Sequence, residues 1–169
     1  MPRFTLPVLI LTSTLALAAC QSAEEKAEDH YQSALTLLAE GDVERAKVEF
    51  RNVFQNDGFH VEARRAFGDL LLEEGNMRGA FRNYTAVIEV EPDTADVRRI
   101  LAELALEVGD LEEARRHGEA AIALTPDDPQ VQVLKAAFDY QTAADNRDLD
   151  GMATAAQAAQ TLLAELPES

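Results

Sequence analysis

Three oxygen-bearing side chains alternate near the end of the chain, in a spacing that could bind a metal ion. Asn146, Asp148 and Asp150 stand at every second position, with a glycine after them. Ca²⁺ is held by oxygen ligands, and its twelve-residue binding loops begin with this alternation. The twelfth position here is Gln157, where such loops use a bidentate glutamate. Calcium binding is therefore one interpretation of the segment, and a polar turn with a helix-capping residue is the other.

A repeat of 34 residues sets the elements that would position these side chains. Gly41, Gly75 and Gly109 are 34 residues apart, and Asp or Asn follows each of them. An alanine recurs five residues after each glycine, and a small residue recurs seven residues before it. This pattern is typical of stacked helical hairpins, in which each hairpin buries its apolar face against the next.

Two helices are predicted in each unit, because the turn residues suit helix ends. Glycine suits the left-handed end of a first (A) helix, and the Asp or Asn after it suits the N-cap of a second (B) helix. In the fourth unit Asp128 and Pro129 start the A helix, but the B helix is predicted to begin late, after an intervening segment 145–151. The predicted A helices are 28–39, 60–73, 94–108 and one from 129, and the predicted B helices are 43–54, 77–90, 111–124 and 152–166.

The pattern resembles the tetratricopeptide repeat family. That family has an alanine in helix B, an aromatic residue four positions later, a closing proline and an early helix-A tryptophan. The corresponding residues are Ala46, Ala80 and Ala114; Phe50, Tyr84 and Gly118; Gly58, Pro92 and Pro126; and, in place of the tryptophan, His30, Arg64 and Arg98. The resemblance implies an all-α fold, a right-handed α-solenoid, with repeats at 27–60, 61–94 and 95–128 and an irregular fourth at 129–169.

The resemblance also implies a groove for a protein partner on the inner, concave face, which the A helices line. Arg65 and Arg99 take equivalent places there, with acids four and eight residues after each. These side chains could grip an extended peptide or a helix, or they could form only ion pairs within one helix. The candidate groove residues are Tyr31, Arg65, Asp69, Glu73, Arg99, Glu103 and Glu107.

No constellation for catalysis is evident in the sequence. His30, His60 and His117 occupy different repeat positions, so they should not converge on one site. The sequence lacks a glycine-rich phosphate loop and an HExxH motif, and Cys20 is its only cysteine. We therefore predict a non-enzymatic protein without a cofactor or a bound metal, the segment at 146–150 being a weak candidate for the latter.

The first twenty residues predict export and a lipid anchor. Arg3 precedes an apolar run at 6–17, which is shorter than the ~20 apolar residues of a membrane-spanning helix and is typical of a secretory signal. Residues 17–20, Leu-Ala-Ala-Cys, resemble a bacterial lipobox, which implies cleavage before Cys20 and diacylglycerol on its sulfur. An ordinary secreted protein is the alternative.

These features divide the chain into three parts. We expect a signal peptide at 1–19, a lipidated cysteine and tether at 20–27, and the repeat array at 28–169. Gln21, rather than aspartate, follows the cysteine, and by resemblance to lipoprotein sorting this points to the periplasmic face of the outer membrane.

The charge of the chain favours some partners over others. Loss of residues 1–19 would leave 14 basic and 31 acidic residues, a net charge of −17. Such a surface repels nucleic acid and anionic headgroups and attracts a basic partner, although solubility alone also explains acidic surfaces.

The sequence therefore predicts a membrane-anchored, extracytoplasmic adaptor that binds a protein or peptide. It resembles Gram-negative lipoproteins of this architecture, which serve envelope assembly, secretion or exosortase-linked polysaccharide export. A self-associating structural lipoprotein is an alternative, in which the small residues Ala155, Ala158 and Ala159 of the last helix make the contact. The chain could also be the N-terminal part of a longer scaffold.

Overall fold

Residues 21–166, which the computed structural model describes, form four helical hairpins. Each hairpin packs on the next, chiefly through α4 on α5 and α6 on α7. This part of the chain contains no strand, so the all-α prediction is confirmed. The helices are α1 (Ala23–Ala39), α2 (Val43–Asn56), α3 (Val61–Glu73), α4 (Met77–Val90), α5 (Ala95–Glu107), α6 (Leu111–Leu124), α7 (Pro129–Asp145) and α8 (Leu149–Glu165).

The turns within the first three hairpins share one geometry. Their glycines have φ between +74° and +79°, a left-handed conformation that other residues adopt only at a cost. The next residue caps the following helix: Asp42, Asn76 and Asp110 each accept a hydrogen bond from the backbone N–H three residues on. These bonds end one helix and start the next, which is why α4 and α6 have the predicted bounds.

The prediction for the fourth hairpin was wrong in one respect. Segment 145–151 is not an insertion before a late helix, because α8 begins at Leu149. Arg147, with φ of 56°, takes the place of the turn glycine, and Asp148 caps α8 by accepting a bond from the N–H of Gly151. Helix α7 starts in register with α5 but has 17 residues instead of 13. The four extra residues add about one helical turn, roughly 6 Å, to its C-terminal end.

The tether predicted at 20–27 is also mostly helical. Ser22 accepts a hydrogen bond from the N–H of Glu25, and the Glu25 carboxylate accepts one from the N–H of Ser22, which completes a capping box. Ala27 is fully buried in the cluster that contains Phe50 and Val53. Helix α1 therefore starts at Ala23, five residues before the predicted position.

Small residues let the two helices of a hairpin pack closely, as the repeat pattern predicts. The ring of Tyr84 lies against Gly68, where an added Cβ would come within 3.0 Å of Cε1. Phe50 fills the corresponding position of the first hairpin and, like Tyr84, is fully buried. The small residues of the repeat pattern that are buried in the first three hairpins are Ala34, Ala46, Gly68, Ala80, Ala102 and Ala114.

In the third hairpin the aromatic ring comes from the neighbouring unit. Gly118 stands where the other hairpins have Phe50 and Tyr84, and the ring of Phe138 on α7 packs directly against it. An added Cβ at residue 118 would overlap that ring. Phe138 is buried together with Leu134 in the cluster between the third and fourth hairpins. The exchange explains the glycine that departs from the family pattern.

In the second and third hairpins a guanidinium group stands where the tetratricopeptide pattern has tryptophan, and it binds the linker before α3 or α5. Arg64 donates to the carbonyl oxygen of Gly58 from Nε at 3.0 Å and from Nη2 at 2.8 Å. Its guanidinium carbon also lies 3.9 Å from the centre of the Phe54 ring, a cation–π contact. Arg98 repeats the first bond, from Nε to the carbonyl oxygen of Pro92 at 2.5 Å.

The N-terminal predictions lie outside the described part of the chain. The signal peptide at 1–19 and the lipidation site Cys20 fall there. Within residues 21–166, no helix is both long and apolar enough to cross a membrane.

Candidate interaction face

The candidate groove residues lie on one side of the array, here called the A-helix face, which comprises ten polar side chains of α1, α3 and α5. The Arg65 guanidinium on α3 makes an ion pair with Asp96 on α5, so side chains of successive A helices are in contact on this face. The members of the A-helix face are Glu28, Tyr31, Glu62, Arg65, Asp69, Glu73, Asp96, Arg99, Glu103 and Glu107.

The two arginines of this face are already paired with carboxylates. One of the two interpretations paired each arginine with an acid of its own helix, but Arg65 pairs with Asp96 of the next A helix. Arg99 does pair within its helix, with 2.6 Å from Nη1 to Glu103 Oε1. Arg65 therefore joins two units, and both positive charges of the face are compensated before any partner binds.

Tyr84 reaches the A-helix face from a B helix. Its hydroxyl donates to Oδ1 of Asp69 at 2.6 Å. Burial raises the pKa of Tyr84, and the bond to the Asp69 carboxylate raises it further, because both favour the neutral phenol. The hydrogen bond from the buried Tyr84 thus fixes the position of the Asp69 carboxylate. Neither Tyr84 nor Asp96 was among the predicted site residues, because their partners lie 15 and 31 positions away and no local pattern marks them.

Tyr31 lies at the first end of the face, beside a histidine. Its ring centre is 5.0 Å from that of His60, whose Nε2 is 3.1 Å from the Glu28 carboxylate. The His60 Nδ1 accepts a hydrogen bond from the backbone N–H of Ala63, which leaves Nε2 as the ring nitrogen that faces the Glu28 carboxylate. Burial raises the pKa of Tyr31, and the negative charges of Glu62, Glu28 and Asp69 add to the effect.

The charge left on the face is negative. It carries seven acidic and two basic side chains, and both basic ones are paired. Glu73 and Glu107, which were predicted to lie in the groove, have no cationic partner among residues 21–166. Leu38, Leu72 and Leu106 follow the same spacing, seven residues after Tyr31, Arg65 and Arg99, and we call them the leucine row. Leu38 lines a surface cleft together with Asp69 and Glu73, so apolar and acidic groups are adjacent.

The segment with calcium-type spacing does not form a binding loop. Asp148 uses its carboxylate to cap α8, and Asn146 donates from Nδ2 to the carbonyl oxygen of Thr142 at 2.9 Å. From Leu149 onward the segment is helical, so the later positions of a calcium loop cannot surround an ion. Within residues 21–166, no three His, Cys, Asp or Glu side chains come close enough to hold a metal.

Other predicted features are placed as follows. The three histidines pair separately, His30 with Glu49, His60 with Glu28 and His117 with Glu113, and they do not converge. In the last helix Ala155 is buried within the α7–α8 hairpin, so it is not available for the predicted self-association, whereas Ala158 is exposed.

A family comparison agrees with this geometry. The model of the tetratricopeptide repeat family matches residues 71–138, from the last part of α3 into α7. The fold is a tetratricopeptide repeat solenoid. Proteins with this fold typically serve as non-enzymatic scaffolds that bind other proteins. No curated protein matches the sequence significantly.

Two solved structures share the fold. MamA, from residue 41 to its end, from Desulfovibrio magneticus RS-1 superposes with a TM-score of 0.61 at 23% identity, covering 81% of this chain and 73% of that one. PilF from Pseudomonas aeruginosa, from a study of its functional characterisation, gives a TM-score of 0.60 at 16% identity, covering 85% of this chain and 63% of that one. At these identities the similarity concerns the fold alone.

Proposed function

We propose that this protein is a membrane-anchored, extracytoplasmic adaptor whose A-helix face binds a cationic segment of a protein partner. One observation carries the proposal: both arginines of the face are paired internally, whereas Glu73 and Glu107 have no cationic partner among residues 21–166. A partner would therefore meet an excess of negative charge, which accelerates encounter with a basic segment and disfavours an acidic one.

The leucine row refines the chemistry of that partner. Leu72 is about one-third exposed, at 36%, and Leu38 and Leu106 are half-buried beside it in the repeat. Apolar side chains next to carboxylates suit a segment that has apolar and basic residues on the same side. An amphipathic basic helix or an extended basic strand would both satisfy this arrangement.

The anchor rests on the lipobox-like sequence before Cys20. Only Gln21 separates Cys20 from the N-cap Ser22, so a lipid on the cysteine would hold α1 close to the headgroups instead of at the end of a long tether. The first turns of α1 are acidic, which would keep the array off an anionic surface. We propose that the protein acts at the periplasmic face of the outer membrane, in envelope assembly, secretion or polysaccharide export.

Crosslinking in the native envelope tests the proposal. The full chain is compared with Glu73→Lys/Glu107→Lys, and crosslinked partners are identified by mass spectrometry. We expect one partner with a basic, apolar segment to be lost in the variant, and its affinity for the wild type to fall with ionic strength.

The matched control is Glu89→Lys/Glu119→Lys, which makes the same charge change at exposed positions of B helices. Equal loss of the partner in both variants would show that net charge matters and the A-helix face does not. Recovery of the chain in the soluble periplasmic fraction, without acyl chains on Cys20, would contradict the anchor.

A further inference from the structure

The three junctions between successive hairpins differ at one pair of positions. At the first junction Lys47 Nζ on α2 lies 2.5 Å from Glu74 Oε1 at the end of α3. At the third junction Arg115 Nη2 on α6 lies 3.3 Å from Thr142 Oγ1 on α7. At the first and third junctions a polar side-chain contact thus joins the two hairpins at the edge of the array.

The middle junction has no polar contact at the equivalent positions. The residues 34 positions after Lys47 and Glu74 are Phe81 and Val108, which are apolar. Between them lies a cleft of about 330 Å³, which we call the edge cleft, with Met77 and Leu104 in its lining. Val108 is 70% exposed, which is unusual for an aliphatic side chain that borders an apolar cavity.

The charges around the edge cleft favour an acidic occupant. Arg78 and Arg82, one helical turn apart on α4, border the cleft, are exposed and have no carboxylate partner among residues 21–166. The acids on the other border are engaged: Asp110 caps α6, and Glu113 pairs with Arg116. The chain has about twice as many acidic as basic residues, so two neighbouring arginines without a carboxylate partner distinguish this border of the cleft from the rest of the surface.

The same chain carries a side chain that matches this cleft. Leu149 is 77% exposed, the highest value among the large apolar residues of the described part, and stands between Asp148 and Asp150. The extra turn of α7 moves it outward by about 6 Å at the edge where the hairpin turns lie, which is also the edge of the cleft. Within its own molecule Leu149 is uncovered.

We propose that the edge cleft of one molecule binds Leu149 of a second copy, with Asp150 beside Arg78 and Arg82. The two surfaces are different, so the contact is head-to-tail, and it extends into a ring or a short filament instead of closing as a two-fold dimer. The area is small, so the association is weak in dilute solution and is favoured where molecules are concentrated on a surface. It does not use the A-helix face and is independent of the proposed function.

Sedimentation of the full chain in density-matched non-ionic detergent tests this contact. We expect the mass of the wild type to rise with concentration beyond the dimer. Leu149→Ala or Arg78→Glu/Arg82→Glu should each weaken association roughly tenfold to a hundredfold, the range expected for loss of one buried leucine or of its charge partners. All these positions are exposed, so helicity by circular dichroism should stay unchanged.

Mixing the two variants gives the decisive result. Each variant keeps one intact surface, so an equimolar mixture should form dimers that neither variant forms alone and should stop there. Variants with one added cysteine supply a second measurement: Val108→Cys and Leu149→Cys should form a disulfide dimer when mixed, in excess of what either variant forms alone. A monomeric wild type at all concentrations, or a mixture that stays monomeric, would overturn the proposal. Capture of an acidic, leucine-containing peptide by an otherwise monomeric chain would assign the cleft to another partner and would overturn it as well.

Discussion

Helices α4 and α8 occupy the same place in their hairpins but are buried to very different extents. Helix α4 buries five of its residues, Tyr84 and Val87 among them, whereas α8 buries only Ala155. Yet α8 is the more apolar of the two in composition. The difference arises because α3 and α5 both pack on α4, whereas in the described part only α7 packs closely on α8. In such an array, burial depends on the next unit as much as on the helix itself.

Substitutions at Phe138 and Gly118, where the ring of one unit fills the space beside the next, should change the free energy of unfolding the most. Phe138→Ala should lower the free energy of unfolding by about 3–5 kcal/mol, and Gly118→Phe should lower it by about 1–3 kcal/mol through overpacking. In Gly118→Phe/Phe138→Ala the new ring can enter the vacated space, as Tyr84 does in the second hairpin. The double variant should therefore lose less than the sum of the single losses.

Urea titration followed by circular dichroism measures this coupling. Tyr140→Ala, a change on the same helix at a side chain 42% exposed, is the control and should have little effect. Additive losses in the double variant would mean that the two positions do not share one space.

The hydrogen bond beneath the A-helix face should give the next largest effect. Tyr84→Phe removes the donor to Asp69 and should lower the free energy of unfolding by about 1–2 kcal/mol. Because the folded state raises the pKa of Tyr84, the phenol stabilises the fold fully below about pH 10, its unfolded value, and loses this contribution as the pH rises above it. The fall in the free energy of unfolding from pH 8 to pH 11 should be larger for the wild type than for Tyr84→Phe. An equal fall would show that Tyr84 does not titrate in this way.

The fourth turn can be tested against the other three. Arg147 adopts a left-handed conformation that glycine adopts more easily, so Arg147→Gly should stabilise the α7–α8 hairpin by about 1 kcal/mol. Gly109→Arg, the reverse change, should destabilise by a similar amount. Hydrogen exchange of the α8 amides reports the local effect of Arg147→Gly. In the wild type the same measurement compares α8 with α4, and the α8 amides should exchange faster than those of α4. Slower exchange in α8 than in α4 would contradict the comparison of burial made above.

A buried histidine gives the smallest expected effect. His117 takes the place that Asn83 has in the second hairpin, where Arg64 Nη1 donates to its Oδ1 at 3.1 Å. Burial lowers the pKa of His117, as do the charges of Arg116 and Arg98, against the opposing effect of Glu113. The neutral ring therefore stabilises the fold fully above about pH 6.5 and loses this contribution as the pH falls.

His117→Asn should reduce the acid sensitivity of the fold. The loss of stability between pH 7 and pH 5, measured by urea titration, should be smaller in the variant than in the wild type. His30→Asn, at a half-exposed position on α1, is the control. A steeper loss in His117→Asn would reverse the assigned sign.

Local signals in the sequence explain most of what could be predicted. Gly75 with Asn76 and Gly109 with Asp110 mark the turns, so the bounds of α4 and α6 were predicted correctly. The start of α1 was missed because the capping box at Ser22 lies before the repeat begins. The end of α7 was missed because a non-glycine residue, Arg147, makes the turn and no spacing marks it.

The candidate site was less predictable, because its pairs join different helices. The spacing within α3 allowed a pair of Arg65 with Asp69, but Arg65 pairs with Asp96 of the next A helix. Tyr84 instead binds Asp69, in a contact between the B helix and the A helix of one hairpin. Such pairings depend on how far one helix is rotated on its neighbour, which a one-dimensional pattern does not specify.

The extra turn in α7 also bears on how such arrays can vary. Four added residues make slightly more than one rotation, so α7 keeps nearly the same side towards its neighbours and packing is little disturbed. A helix of such an array can therefore lengthen in steps of about one turn, and each step displaces the hairpin turn along the helix axis without moving it to another side of the helix.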